Sequence, residues 1–183
     1  MLWQYVDGEL SDVYIRRTFP NYAVTVMFVS SFLLLLAGLL TIHRVGGDAY
    51  TLGLFDTAGL GDYDQLRADT YPLADIVLIC SDLKQPNQFA STGTKWIPEM
   101  HKYCPRALSV LVGVTDSEDS DDEDFDVIDG PDEIAKRRRV ALENGALTYL
   151  ECDVRAGDTI LNVFNEVCES VINNIWVLLM NFL

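Results

Sequence analysis

Asp56-Thr57-Ala58-Gly59 is the run in this chain whose residue types best suit chemistry. The preceding AYTLGLFD alternates in the manner of a half-buried strand, so Asp56 is expected at a strand end with a turn of small residues behind it. A carboxylate there can hold a Mg²⁺-bound water, and the Gly59 N–H can donate to a phosphate oxygen. A phosphate site also needs a cradle of the GxxxxGK[ST] type. Its Gly-rich backbone wraps the phosphates, its Lys neutralises charge, and its Ser/Thr binds Mg²⁺. No such run occurs in the sequence.

Other reactive groups offer less. His43 and His101 are isolated, which suits surface or packing positions better than ligation. Cys80, Cys104, Cys152 and Cys168 are widely spaced without a CxxC pair, which suits a reducing, cytoplasmic setting rather than a disulfide framework or a zinc site. The opening MLWQYVDGEL lacks the basic flank and cleavage site of a signal peptide. The run 116–126, DSEDSDDEDFD, reads as a solvated acidic loop; it lacks the Gly turn and terminal Glu of a calcium loop.

The elements that must position Asp56 are legible around it. The apolar fraction of 49% and charged fraction of 22% over 183 residues fit a single globular domain, 1–183, with a real core. A net charge of -15 argues against nucleic acid as a partner, because phosphate neutralisation needs clustered Lys and Arg. DIVLIC and LSVLVGV are short continuous apolar runs, expected of strands covered on both faces. NQFASTGTKWIPEMHKYC has helical spacing through Phe89, Trp96 and Met100. PDEIAKRRRVALENGA opens with Pro131 and acidic residues and closes at Gly145, as a helix does. LTYLEC predicts a strand and DTILNVFNEVCESVINNI an amphipathic helix. Strand and helix alternate, so the expected class is α/β with a mainly parallel sheet.

Beyond these readings stands a resemblance. NYAVTVM, GGDAYTLGLFDTAG, DYDQLR, YPLADIVLIC, KWIPEMHKYCP and YLECDV…NVFNEV occur in the order found in the Rho family of small GTPases, nearest its Rac/Cdc branch. The resemblance implies a three-layer P-loop-GTPase-like fold, here with the first strand and the P-loop missing. It implies GTP/GDP and Mg²⁺ as cofactors, with Asp56 serving Mg²⁺ through water and Gly59 sensing the γ-phosphate. Thr57, Ala58 and Asp116 complete the implied nucleotide-binding set. Tyr22, Tyr63 and Leu66 would belong to the surface that effector and regulator proteins read, in signalling to cytoskeletal and polarity effectors.

The departures from the family pattern carry equal weight. Leu60 stands where the family has the Gln that orients the attacking water, and Leu cannot hydrogen-bond to water. The switch-one Thr aligns with Arg17, beside Thr18. The guanine-reading [NT]KxD is replaced by VTDS, with Asp116 one position early and no Lys. Asp153-Val154 replaces the later Ser-Ala pair, and no CaaX box is present. Hydrolysis is therefore expected to be crippled and nucleotide affinity low. The alternative to a GTP-binding switch is a nucleotide-independent pseudo-GTPase interaction module.

The stretch Ala23–Ile42 carries no charge and approaches the ~20 residues that span a bilayer. The resemblance assigns NYAVTVM to a strand that hairpins with GGDAYTLGLFD, leaving about 28–44 as an insertion at the hairpin tip. That insertion stands open to three readings: a membrane segment, a translated intron, or a surrogate strand in which FLLLLAGLL fills the vacancy left by the family's first strand.

Overall fold

The structure, a computed structural model, describes residues 21–28, 39–45, 48–57, 64–116 and 131–180. Three strands come first: β1 (Asn21–Phe28), β2 (Leu39–Val45) and β3 (Asp48–Thr57). Helix α1 (Asp64–Thr70) runs into a single tight turn, Tyr71–Leu73, and then β4 (Ile76–Asp82). Next come α2 (Pro86–Ser91), a π-helical turn (Thr92–Trp96) and α3 (Ile97–Tyr103). The chain closes with β5 (Leu108–Thr115), α4 (Pro131–Glu143), β6 (Thr148–Asp153) and α5 (Gly157–Met180).

The six strands form one sheet in the order β2-β3-β1-β4-β5-β6. β4, β5 and β6 pair in parallel, while β1 is antiparallel to both of its neighbours and β2 is antiparallel to β3. Four strands thus share a direction and two oppose it. The α/β class holds, with helices on both faces.

Each face has its own apolar core, as period-two strands and period-3.6 helices dictate. On one face Ile76, Leu78, Cys80, Val110, Val112 and Cys152 meet the α5 stripe Ile160, Val163, Phe164, Val167, Cys168 and Val171. On the other, Val77, Ile79, Leu111 and Tyr149 meet Trp96, Ile97, Met100 and Ala141. β4 is buried through its first six residues, as its unbroken apolar run required. Helix α4 starts at Pro131 and ends with a 6→1 bond from Ala146 N–H to Ala141 C=O, 3.0 Å. A 5→2 bond from Gly145 N–H to Leu142 C=O, also 3.0 Å, completes a Schellman close. That close needs a left-handed residue, and Gly145 supplies it at φ 91°.

The first half of the sheet departs from expectation. NYAVTVMF does pair with β3, in the register Ala23↔Thr57 to Phe28↔Leu52, but it also pairs with β4, in the register Asn21↔Ser81 to Val26↔Ile76. It therefore fills the central slot between β3 and β4 rather than lying at the edge. The edge partner of β3 is β2, which comes from within the stretch read as an insertion, in the register Leu39↔Leu54 to Val45↔Asp48. The slot is filled, but by Asn21–Phe28 and not by FLLLLAGLL. Val24, Thr25, Val26 and Phe28 favour a strand more strongly than a Leu run does, and a central strand satisfies its backbone on both sides. A helix spanning Ala23–Ile42 is not formed, because 23–28 and 39–42 are strands of this sheet. Among the described residues no helix is long and apolar enough to cross a membrane.

Candidate functional site

In an open α/β sheet, ligands bind at the carboxyl ends of the parallel strands. Here that edge carries Asp56 and Thr57 at the end of β3, Asp82 at the end of β4, Asp116 just after β5 and Asp153 at the end of β6. Thr57 is buried, and the backbone of Asp56 lies opposite Val24 of β1.

The loops after β5 and β6 are laced to each other. Arg155 Nε–H donates to Asp116 Oδ1 at 2.6 Å, across 39 residues of sequence, and both side chains are about one-third exposed. The Arg155 N–H donates to Asp153 Oδ1 at 2.9 Å, and the Val154 N–H to the Thr115 carbonyl at 3.0 Å. The Thr159 hydroxyl lies 3.0 Å from the Asp153 carbonyl and 2.7 Å from that of Ala156. At the next strand, Asp82 accepts from the Lys84 N–H and from Gln85 Nε2, both at 2.9 Å. The carboxylates of Asp82, Asp116 and Asp153 thus already hold donors from within the chain.

Comparison with known families matches residues 13–173 to the Ras family. The chain belongs to the Ras family. Its members are small GTPases, GTP-binding signalling proteins that take GTP or GDP with Mg²⁺ and work through regulator and effector partners.

Asp116, near the base-reading position, accepts from Arg155, and the Val154 amide beside it donates to the Thr115 carbonyl. The central strand enters the carboxyl edge at Asn21 and leaves at the opposite edge, so it cannot deliver a phosphate loop to the ligand side. Among the described residues none supplies a phosphate loop to the slot between β3 and β4, and Ala58 and Gly59 lie outside them.

Of the expected site residues, Asp56 and Thr57 lie at one end of this edge and Asp116 further along it, beyond β1 and β4. Ala58, Gly59, Leu60 and Tyr63 lie outside the described residues, as do Arg17, Thr18 and 117–126. Tyr22 lies in central β1 opposite Cys80, and Leu66 lies in α1.

A cluster that sequence reasoning did not single out anchors α1. Arg67, its side chain fully buried, makes a fork to Glu99 of α3 through Nε at 2.6 Å and Nη2 at 3.1 Å. Asp64 also accepts from Arg67. The Tyr71 hydroxyl donates to Glu99 Oε1 at 3.0 Å, and the guanidinium stacks 4.8 Å over the Trp96 ring. Burial alone would lower the Arg67 pKa, but the Glu99 and Asp64 carboxylates outweigh it and raise the value above that of an ordinary arginine. Burial first, then Glu99, pushes the Tyr71 phenol up, so it stays a donor. The i,i+3 spacings Asp64–Arg67 and Trp96–Glu99 were visible in the sequence; that the two pairs meet was not.

Proposed function

We propose that this Ras-family domain is Rho-type and acts in small-GTPase signalling as a surface read by effector and regulator proteins, with low GTP affinity and crippled hydrolysis. The Rho assignment rests on the ordered segments from NYAVTVM to YLECDV. The loss of nucleotide function rests chiefly on one observation, the reversed central strand. In a P-loop fold a strand running with its neighbours carries the phosphate loop at its carboxyl end. Here β1 holds the slot between β3 and β4 in the opposite direction, and any strand bearing a phosphate loop would have to displace it.

Asp56, Thr57, Ala58, Gly59 and Asp116 are then remnants of a nucleotide site, while Tyr22, Tyr63 and Leu66 belong to the surface that partners read. Leu60 removes the water-orienting amide independently of the fold. The Arg67–Glu99 fork ties α1, the helix that follows DTAG, to α3 without help from a ligand. The protein works in the cytoplasm, in keeping with its reduced cysteines.

The test is a fluorescence titration with a GTP analogue, with and without Mg²⁺. No Mg²⁺-dependent saturation at micromolar protein is expected. Micromolar or tighter Mg²⁺-dependent binding would overturn the proposal.

A further inference from the structure

Helix α4 carries Lys136-Arg137-Arg138-Arg139, four of the chain's 13 basic residues in consecutive positions. Two of the four are committed. Lys136 pairs with Glu133 at 3.1 Å, and Arg137 with Glu151 of β6 at 3.1 Å. Arg138 and Arg139 are exposed and have no hydrogen-bond or ion-pair partner among the described residues. They share one open helix face with Ile134, Ala135, Leu142 and Glu143. Ile134, Arg138 and Leu142 recur at i, i+4 and i+8, and Ala135, Arg139 and Glu143 likewise, as neighbours on a helix surface do. Leu142 is 51% exposed, the most exposed large hydrophobic residue described.

We propose that this α4 face is a docking surface for an acidic segment of a partner protein, one that sets an apolar side chain against Leu142 and carboxylates against Arg138 and Arg139. Arginines with no partner among the described residues, beside an exposed leucine, have the composition of an interface core. Guanidinium is weakly hydrated, forms two-pronged bonds to carboxylate and loses little on desolvation. Charge selects the class of partner. A nucleic acid or an anionic membrane would meet a net charge of -15, whereas a short acidic segment contacts only the local cationic patch. Asp132, Glu133 and Glu143 on the same helix further disfavour a flat anionic surface.

The experiment is a fluorescence-anisotropy titration of the full chain with a short labelled peptide alternating Glu and Leu. Saturable, salt-sensitive binding is expected, weakened by roughly tenfold or more in the R138E/R139E variant and by several-fold in L142A. A peptide with Gln in place of Glu should not bind. These residues are exposed, so circular dichroism of the variants should match the parent. Undiminished binding by R138E/R139E, or equal binding of the Gln peptide, overturns the proposal. So does binding that appears only after the acidic residues of 116–126 are replaced by Asn and Gln, because the chain's own acidic run would then be the occupant.

Discussion

Arg67 shows how much one side chain decides. Removing it leaves the Glu99 carboxylate, 16% exposed, without its fork and the Trp96 ring without the guanidinium, with Lys95 still stacked over it. Arg67→Ala is expected to cost about 3 kcal/mol in urea unfolding, at the lower end of what breaking a buried pair costs, and Arg67→Lys less. The surface pair Arg155–Asp116 is one-third exposed, and its loss should cost at most about 1 kcal/mol. The buried thiols set a pH window. Burial pushes Cys104 up from the ordinary 9.0 to about 11, and Cys152 and Cys168 to about 12. Between those values the unfolded chain has lost the thiol protons and the folded chain keeps them, so the unfolded state gains as pH rises. Stability should therefore hold below pH 9 and fall from there toward pH 12, as read by urea midpoints. None of these three thiols should react with a thiol reagent in the folded protein at pH 8. A constant midpoint through that range, or rapid labelling, would contradict the assignment.

At the scale of elements, what depends on local period was legible and what depends on distant pairing was not. The runs in β4 and β5, the α5 stripe and the Pro131-to-Gly145 helix follow from spacing alone. Gly145 is the sharpest local case. At φ 91° an added Cβ meets only ordinary contact with His101, at 3.6 Å, so the strain is in the backbone itself. Gly145→Ala should cost about 1 kcal/mol, measured as a lower unfolding midpoint with an unchanged denaturant slope. The π-helical turn at Thr92–Trp96 was hidden, since Phe89, Trp96 and Met100 satisfy ordinary helical spacing. The slot of β1 was hidden for a deeper reason. NYAVTVMF is a good strand wherever it lies, and its position between β3 and β4 depends on which neighbours compete for it. The site was legible as residue types, Asp56 and Asp116, but the commitment of Asp116 to Arg155 spans 39 residues and no spacing announces it.

For the whole molecule, the sequence and fold make one argument. A Ras-family domain keeps both of its apolar cores, while the slot between β3 and β4 is held by a strand running against its neighbours and Asp116 at the ligand edge pairs with Arg155. Repairing a single residue should then repair nothing. Leu60→Gln restores the water-orienting amide, yet phosphate release from GTP should stay at the no-enzyme background, because orientation of water is useless without a bound phosphate. Hydrolysis rising well above background in that variant would place the defect at Leu60 alone. The most direct test of the central claim is the nucleotide content of freshly purified protein, released by denaturation and quantified by mass spectrometry. GTP plus GDP is expected far below one mole per mole of protein, whether or not Mg²⁺ is kept throughout; close to one mole per mole would contradict a lost nucleotide site.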